Sequence, residues 1–392
     1  MYKKAGAEVR VILTGAASKF ISPLTFEAIS SNEVLTSKTE SWANDNNHID
    51  IGKWADIFVI APATANTINK LSNGIADNLL TQTALAYKDV KLIAPAANTA
   101  MYKNPTTQAS LKMLQLINYE VIKPSTKLLA CGDEGEGALA EVENIFYKTA
   151  QVLNRDAFWI NRRVIVTGGG TIEKIDDVRY ISNFSSGKMA KALSTALYLK
   201  GADVCLITTK KLDDLVEGIY QIDVESTTQL HEYLVDAIRV SKKGIMTKAT
   251  LTDDSIPELI QKKPYLFMAA AVSDYKPRYP QSGKLKKEMI GDVWNLELEK
   301  NVDILSSINK EDIFTVGFKA EMDKNSGKES AKSMLQNKSL DAVALNYVSE
   351  HSFGSDKNAI TLFTKDLEVD LKEALKLDIS LELLETLSKN GK

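Results

Sequence analysis

The stretch RRVIVTGGGTIEKIDDVRYISNFSSGKMAKALSTALYLKGADVCLITT, residues 162–209, decides the fold. It begins with an apolar, β-branched run, continues through a glycine-rich loop and a helical segment, and ends in a second apolar run. Apolar side chains recur on one helical face over residues 189–197, and Gly201 is a typical C-terminal stop. Two apolar runs joined by a loop and a helix predict a parallel strand–helix–strand unit.

The same alternation continues on both sides of this stretch. The second half adds YLFMAAAV, IFTVGF and LDAVALN, and the first half has EVRVILT, ADIFVIAPA, VKLIAPA and YEVIKP, with helical stretches such as GIADNLLTQTALAYK between them. EGALAEVENIFYKTAQVLNRDAFWIN is typical of a closing helix and a linker, which places a boundary near residues 156–161. We therefore expect an α/β protein of two tandem doubly wound, Rossmann-like parallel-sheet domains, residues 1–155 and 156–392.

Composition excludes several classes of protein. With 392 residues, 44% hydrophobic and 25% charged, the chain has ordinary globular composition and is long for a single core. A formal net charge of -3 gives no global reason to expect nucleic acid, and no apolar run approaches the roughly 20 residues that span a bilayer. The N-terminus lacks the apolar core of a signal peptide, so we expect a cytoplasmic protein without a membrane partner. Two cysteines and three histidines without clustering argue against a disulfide framework or a structural zinc site.

The loop before the helix, which contains SNFSSGKMAKAL (residues 182–193), fits neither common nucleotide motif. A Walker A loop needs a glycine and a hydroxyl where this chain has Ser182 and Met189, and a dinucleotide fingerprint needs its third glycine where Glu173 stands. What remains is a glycine-rich turn and a helix N-terminus carrying Asn183. The residues alone leave two alternatives, an anion-binding turn or an ordinary capped helix.

Polar turns also follow several other predicted strands. In the first half, IFVIAPATANT and KLIAPAANTA both run from an apolar strand through Ala-Pro-Ala to Asn-Thr. In the second half, Asp274 and a lysine cluster starting at Lys284 follow the YLFMAAAV strand. Ligands collect at the carboxyl ends of parallel strands, so these turns are candidate pocket walls, although Ala-Pro also ends strands and lysine clusters are usually solvated.

Two cysteines and one histidine are open to different interpretations. His48 is the natural acid or base if it faces a pocket, although a lone histidine is more often a surface or core residue. Cys205 lies in an apolar run and is predicted to be a core residue. Cys131 lies in a glycine-rich acidic loop, where Asp133 and Glu134 would raise the pKa of its thiol and favour a proton donor.

The first half resembles the flavin-dependent cysteine decarboxylases, and within them the phosphopantothenoylcysteine decarboxylase domain of bifunctional coenzyme A biosynthesis enzymes. The resemblance lies in HIDIGKWADIFVIAPATANTINKLSNGIADNLL, PAANTAMYKNP and ACGDEGEG. It implies an FMN cofactor, a catalytic His48, an Asn98 that binds the substrate carboxylate, and a Cys131 on a flexible lid that donates a proton. Ala97 and Tyr102 replace a methionine and a tryptophan of the family motif. The family's first strand and flavin-binding turn are not matched, so we expect an N-terminally incomplete flavin domain.

The second half resembles the phosphopantothenate–cysteine ligase domain, through six patterns in order: RYISN-x-SSGKM, AAAV-x-D, K-x-KK, KN-x-DI, GF-x-AE and FGSD-x-N. The resemblance implies activation of a carboxylate by CTP as an acyl-cytidylate, which the amine of cysteine then attacks. It assigns stabilisation of the acyl-cytidylate to Asn183, and neutralisation of triphosphate charge to Lys284, with Mg²⁺ bridging the triphosphate. The CTP contacts it implies are Asp274, Lys284, Val302, Asp303, Ile304, Leu305, Phe318 and Lys338.

One departure concerns the nucleotide site. A lysine common in the family four residues before Lys338 is Met334 here, so a phosphate contact is lost or moved to Lys332. We expect an enzyme that ligates L-cysteine to 4'-phosphopantothenate and then decarboxylates the product to 4'-phosphopantetheine. It is also expected to be a homo-oligomer that binds no nucleic acid. The alternative is a ligase whose flavin half is only an assembly or binding module.

Overall fold

The structure is a computed structural model that describes residues 1–43, 46–128, 134–212, 214–247, 249–251, 256–286, 291–347 and 354–390. Its contacts divide the chain into two compact units, Met1–Leu153 with Thr247–Glu258, and Asn154–Met246 with Leu259–Lys392. The division lies slightly before the predicted boundary. The short second segment of the first unit was not predicted; the Leu251 amide donates to the Leu116 carbonyl at 2.7 Å.

A three-stranded parallel sheet forms the centre of the first unit. Its strands are β1 (Phe58–Ala63), β2 (Lys91–Pro95) and β3 (Tyr119–Val121), in the order β1-β2-β3, and a separate antiparallel hairpin is formed by β4 (Ser125–Leu128) and β5 (Glu134–Ala138). The helices are α1 (Pro23–Ser30), α2 (His48–Trp54), α3 (Ala65–Ser72), α4 (Leu79–Ala86), α5 (Thr99–Lys103), α6 (Pro105–Leu116) and α7 (Val142–Asn154), with 3₁₀ turns at Lys3–Ala5 and Ala17–Lys19.

Both faces of this sheet are covered. Ile93 packs with Ile68 and Leu114, whereas its neighbour Leu92 packs with Ile145 of α7. Alternate side chains of one strand point to opposite faces, so burial of both requires helices on both sides, as in a doubly wound sheet.

The strand expected over residues 8–14 is reduced to a single bridge. Ile12 and Leu35 form one isolated parallel bridge, in which the Leu13 and Leu35 amides donate to Leu35 and Val11 carbonyls. Among the described residues only Leu35 forms a β-bridge with this segment, so the ladder does not extend. The expectation of a full strand here is wrong.

The second unit contains an eight-stranded sheet in the order β10-β9-β6-β13-β16-β17-β18-β19. Its strands and the paired segments around it are β6 (Arg163–Gly168), β7 (Ile172–Lys174), β8 (Tyr180–Ser182), β9 (Asp203–Thr208), β10 (Tyr220–Asp223), β11 (Ile245–Met246), β12 (Leu259–Ile260), β13 (Tyr265–Met268), β14 (Tyr275–Pro277), β15 (Leu298–Lys300), β16 (Phe314–Glu321), β17 (Ala342–Tyr347), β18 (Lys357–Thr364) and β19 (Glu368–Leu375). The helices are α8 (Lys188–Leu199), α9 (Thr227–Ser241), α10 (Ile304–Ser307), α11 (Lys324–Asn337) and α12 (Lys376–Asn390).

The direction of the chain through this sheet creates a switch point. The strands from β10 to β17 are parallel, and β18 and β19 add an antiparallel edge. The chain moves outward from β6 to β10, then returns to β13 on the other side of β6 and moves outward to β17. Such a reversal opens a crevice at the carboxyl ends of the strands, which is the usual ligand position in open α/β sheets.

The core confirms the α/β prediction. Leu230 and Leu234 of α9 share a buried cluster with Ala331 of α11. On α8, Leu193 and Leu197 are fully buried, and α8 contacts β6, β9 and α12. All five apolar runs predicted in this half are strands. In the described ranges, no helix is long and apolar enough to cross a membrane.

Candidate functional site

A cleft of about 570 Å³ lies at the carboxyl ends of β13, β16 and β17. Its walls come from the start of α8, the turn after β13, the segment from β15 to α10, and the ends of β16 and β17. These segments are far apart in sequence, and the parallel sheet brings them together because its strand ends share one edge. Seven predicted nucleotide contacts line this cleft: Asp274, Val302, Asp303, Ile304, Leu305, Phe318 and Lys338.

Asn183 directly precedes residues that line the cleft but does not line it itself. Its Nδ2 donates to the Val272 carbonyl at 2.9 Å, which ties the loop before α8 to the turn after β13. This approach requires Gly170, because a Cβ there would lie 2.4 Å from the Asn183 carbonyl oxygen. The next residues, from Phe184 to Gly187, line the cleft, and Gly187 has a φ of +72° as the N-cap of α8.

Two of the residues that line the cleft, Asp303 and Lys338, form an ion pair. Lys338 Nζ lies 3.1 Å from Asp303 Oδ2, and Asp303 caps α10 by accepting from the Ser306 amide. Burial raises the pKa of Asp303, but hydrogen bonds from Lys338 and Ser306 outweigh it and hold the pKa below its usual value. Asp303 is therefore a carboxylate that keeps Lys338 at the cleft.

The cleft is cationic. Five lysines line it, against the two aspartates Asp274 and Asp303: Lys300, Lys319, Lys338, Lys357 and Lys376. Burial lowers the pKa of Lys376, whose ammonium donates to the Ser355 carbonyl. Near it, Lys188 pairs with Asp356 at 2.6 Å. This balance of charge suits a polyanionic ligand.

Lys284 does not line the cleft, contrary to the expectation for a triphosphate contact. It is exposed, and both neighbouring amides are held by the turn between β7 and β8. The Gly283 amide donates to Asp177 at 2.7 Å, and the Leu285 amide donates to Asp176 at 3.2 Å. The last lysine of the cluster, Lys287, lies outside the described residues.

Lys332 is also away from the cleft. Its ammonium lies 3.0 Å from Glu368 and 5.6 Å from the centre of the Phe363 ring. Met334, which replaces the family lysine, lines the cleft and packs next to Gly317. The proposed transfer of a phosphate contact to Lys332 is therefore wrong, because α11 points that side chain towards β18 and β19.

Glu173 has a structural task that sequence reasoning missed. The side chain is buried, and its Oε1 accepts from the Thr227 amide at 3.0 Å and the Thr227 hydroxyl at 2.6 Å. Glu173, at the position where a dinucleotide fingerprint would have a glycine, therefore satisfies the first backbone amide of α9. The only sequence signal was that mismatch.

In the first unit, His48 begins α2. Its Nδ1 lies 3.1 Å from Glu40 Oε1, and its ring meets Trp42 edge-on at 5.5 Å between centroids. The side chain is 25% exposed, and Asn47 caps the helix by accepting from the Ile49 and Asp50 amides. A partly exposed imidazole oriented by a carboxylate is suited to proton transfer.

Asn98 lies at the end of β2, where it caps α5 by accepting from the Ala100 amide at 2.9 Å. The hairpin of β4 and β5 packs on this turn, because the Ala97 amide donates to the Gly137 carbonyl at 2.9 Å. A Cβ at Gly137 would lie 2.3 Å from the Ala97 carbonyl oxygen. Cys131 falls between the two hairpin strands in sequence and lies outside the described residues.

The same turn has a donor set that fits a flavin. The Thr99 hydroxyl is buried and has no hydrogen-bond partner among the described residues, and a Cβ at Gly135 would lie 2.2 Å from it. Thr64 caps α3 at the end of the neighbouring strand β1. Hydroxyls and amides at two adjacent strand ends suit the polar edge or phosphate of a bound FMN.

Other candidate sites give less. Cys205, as predicted, packs against the core of the second unit, and burial raises the pKa of its thiol to about 11. Within the described ranges, no group of three or more histidine, cysteine, aspartate or glutamate side chains could hold a metal ion.

Two family models match the chain. The model described as Flavoprotein matches residues 1–154, starting at the first residue, and that of the DNA/pantothenate metabolism flavoprotein C-terminal domain matches residues 159–263 and 247–390.

Relatives match nearly the whole chain. The coenzyme A biosynthesis bifunctional protein CoaBC of Bacillus subtilis (strain 168) is 37% identical over 401 residues, covering 99% of this chain and 92% of the relative. Its counterpart in Haemophilus influenzae is 37% identical over 398 residues, covering 99% and 93%. A crystal structure of the C-terminal domain of a CoaBC protein is 25% identical, with a TM-score of 0.45, covering 60% of this chain and 98% of that domain.

Proposed function

The chain belongs to the family of coenzyme A biosynthesis bifunctional proteins, and we propose that its second unit uses CTP to ligate L-cysteine to 4'-phosphopantothenate. The first unit then decarboxylates the product with FMN. The observation that carries the ligase assignment is the convergence of separate sequence motifs on one cationic cleft at the carboxyl strand ends. We propose that both reactions occur in the cytoplasm, in a homo-oligomer.

Ligation takes two steps, activation of the carboxylate and then amide formation. The substrate carboxylate attacks the α-phosphorus of CTP, pyrophosphate leaves, and the amine of cysteine displaces CMP from the acyl-cytidylate. Lys338, paired with Asp303, would offset charge on the nucleotide, and Mg²⁺ bound with the nucleotide would neutralise further negative charge. Asn183, whose Nδ2 donates to the Val272 carbonyl beside the cleft, would stabilise the acyl-cytidylate.

Decarboxylation falls to the first unit. Bound FMN would supply reversible oxidation and reduction of the substrate, which makes loss of CO₂ feasible. His48, oriented by Glu40, would transfer a proton, and Asn98 would bind the carboxylate that leaves. Cys131 would return a proton to the product. A positioned acid of this kind is worth about 10²–10⁴ in rate.

One assay tests both units. Purified protein is given 4'-phosphopantothenate and cysteine with either CTP or ATP, and pyrophosphate and CO₂ are measured separately. We expect the purified protein to be yellow, with a flavin spectrum. With CTP it should release pyrophosphate and then CO₂. CTP-dependent pyrophosphate without CO₂, from a colourless protein that FMN does not reconstitute, would instead support a ligase with a non-catalytic flavin domain. No CTP-dependent product would overturn the proposal.

A further inference from the structure

Two buried polar side chains in the wall of the cleft have donors that nothing accepts in the part of the chain that the structure describes. Ser273 is 3% exposed and Asn301 is 7% exposed, and both line the cleft. Neither the Ser273 Oγ nor the Asn301 Nδ2 has a hydrogen-bond partner there. Asn301 Oδ1 accepts from the Val302 amide at 3.0 Å, which fixes the amide orientation and leaves Nδ2 as a donor.

Both residues are held in place through their backbones. The Asn301 amide donates to the Asp274 carbonyl at 2.7 Å, so the segment before α10 is joined to the turn after β13. The Ser273 amide donates to the Thr171 hydroxyl at 3.0 Å. The two donors therefore belong to directly connected backbone segments.

A buried chain of hydrogen bonds extends this support. The Thr171 hydroxyl shares a hydrogen bond of 3.1 Å with Thr227, whose hydroxyl donates to the Glu173 carboxylate at 2.6 Å. All three side chains are buried. Because the Thr227 hydroxyl donates its one proton to Glu173, it accepts from the Thr171 hydroxyl, which leaves the Thr171 oxygen to accept from the Ser273 amide. The Ser273 turn is thereby held by buried hydrogen bonds before any ligand binds.

Unpaired buried donors are rare in native proteins, since each loses its hydrogen bond to water. An alanine at position 273 would avoid that loss. The cost is explained if a ligand supplies the missing acceptor. Oxygen acceptors are abundant on a nucleoside triphosphate, and Asn301 directly precedes the segment Val302, Asp303, Ile304 and Leu305 that we assign to the nucleotide.

We propose that Asn301 Nδ2 and Ser273 Oγ donate hydrogen bonds to an oxygen of the bound nucleotide and so help to select it. This inference rests on the proposed CTP-dependent ligation. The acceptor is either a ribose hydroxyl or a phosphate oxygen, and both present the same chemistry to the two donors.

The test uses Asn301→Asp and Ser273→Ala in the full chain, with Ser194→Ala as the matched control. Asn301→Asp keeps the acceptor for the Val302 amide but replaces the donor with an acceptor. Ser194 in α8 also has a buried hydroxyl without a partner in the described ranges, but it does not line the cleft. We expect the KM for CTP to rise about three- to tenfold in Ser273→Ala and at least about tenfold in Asn301→Asp.

Thermal unfolding separates binding from structure. Removing an unpaired hydroxyl does not cost a hydrogen bond, so Ser273→Ala and Ser194→Ala should both unfold at or above the wild-type temperature. Comparing CTP with 2'-deoxy-CTP and 3'-deoxy-CTP identifies the acceptor. A ribose hydroxyl is indicated if the penalty for losing that hydroxyl in the wild-type enzyme disappears in Asn301→Asp, and a phosphate oxygen if both deoxy penalties persist.

Two results would overturn the inference while leaving the proposed function intact. One is a wild-type KM for CTP in both variants, and the other is an increase confined to the KM for 4'-phosphopantothenate. A wild-type enzyme with no CTP-dependent pyrophosphate release would overturn the proposed function itself, and this inference with it.

Discussion

The two units present their predicted site residues in different ways. In the second unit, β13, β16 and β17 end at one edge of a continuous sheet, and the ends of these strands and the turn after β13 line one cleft. In the first unit, His48 begins α2, Asn98 follows β2, and Cys131 falls between β4 and β5. Turns attached to neighbouring parallel strands share a location fixed by the sheet, whereas residues on helix starts and hairpins depend on further packing.

The difference between the units predicts how substitutions act. The proposed ligase residues belong to one unit and most of them share its cleft, so changes in different motifs should all impair CTP-dependent ligation. The proposed decarboxylase residues lie on separate elements, so a substitution at one of them should leave the positions of the others unchanged. The five predictions below test this contrast.

The largest effect is expected for Cys131→Ser. If Cys131 is the proton donor of the first unit, its loss should reduce CO₂ release about 10²–10⁴-fold, because serine is a far weaker acid at the same position. Pyrophosphate release with CTP should not change, because Cys131 belongs to the first unit and ligation is assigned to the second. Unchanged CO₂ release from a protein with wild-type flavin absorbance would remove Cys131 from the proposed chemistry.

Asn183→Asp should have the next largest effect. The substitution replaces an amide donor with a carboxylate beside the Val272 carbonyl and the developing charge of the acyl-cytidylate. Loss of one such donor typically lowers kcat about 10²–10³-fold. CTP should still bind, and rapid-quench measurements should show release of one equivalent of pyrophosphate and then a stall at the acyl-cytidylate. Wild-type turnover would mean that this loop is an ordinary helix cap.

The sequence predicted the α/β class and the strands of the second half because apolar, β-branched runs bounded by glycine and polar turns identify buried parallel strands. Strand-end reasoning pointed to the turn that contains Asp274, and the family resemblance supplied the other predicted contacts that line the cleft. The antiparallel strands β18 and β19 were not predicted. Their sequences are mixed polar and apolar, as one exposed edge of a sheet allows.

Side-chain direction was the part that sequence could not supply. Lys284 and Lys332 belong to recognisable patterns, yet one is held on the turn between β7 and β8 and the other pairs with Glu368. Both positions depend on contacts with segments distant in the chain. The prediction of a strand over residues 8–14 was wrong for a related reason, because a strand forms only where a partner segment continues the ladder.

Two lysines near the end of α11 test the cleft itself. Lys338→Met should raise the KM for CTP about ten- to hundredfold, since a charged hydrogen-bond donor is lost from the cleft. Lys332→Met should leave the KM unchanged, because its partner Glu368 lies outside the cleft and exposed ion pairs contribute about 0–1 kcal/mol to stability. Steady-state kinetics gives the KM for CTP of both variants. Equal effects would contradict the assignment of Lys338, and not Lys332, to the nucleotide site.

The pH dependence of the same ion pair has a definite sign. The pKa of Asp303 is below its usual value, so its contribution to stability is present at neutral pH and is lost as the pH falls through that lowered pKa. Lys338→Met removes one cause of the lowering. The variant should therefore lose less stability than wild type between neutral and acidic pH, as measured by urea unfolding at several pH values.

The smallest effects compare one glycine from each unit. In the second unit, a Cβ at Gly170 would lie 2.4 Å from the Asn183 carbonyl oxygen, and that atom belongs to backbone that is itself tied to Val272. Gly170→Ala should therefore cost about 1–3 kcal/mol of unfolding free energy, as overpacking does, and should lower ligase turnover by displacing Asn183.

In the first unit, a Cβ at Gly15 would meet no atom within 4 Å, and its φ is not in the left-handed region. Gly15→Ala should leave both activities unchanged and stabilise the protein by up to about 1 kcal/mol, because alanine restricts the unfolded chain. Calorimetry with both assays on the two variants decides the matter: a Gly170→Ala protein with wild-type stability and turnover would show that the loop relaxes freely, and Asn183 would then owe its position to something other than this close approach.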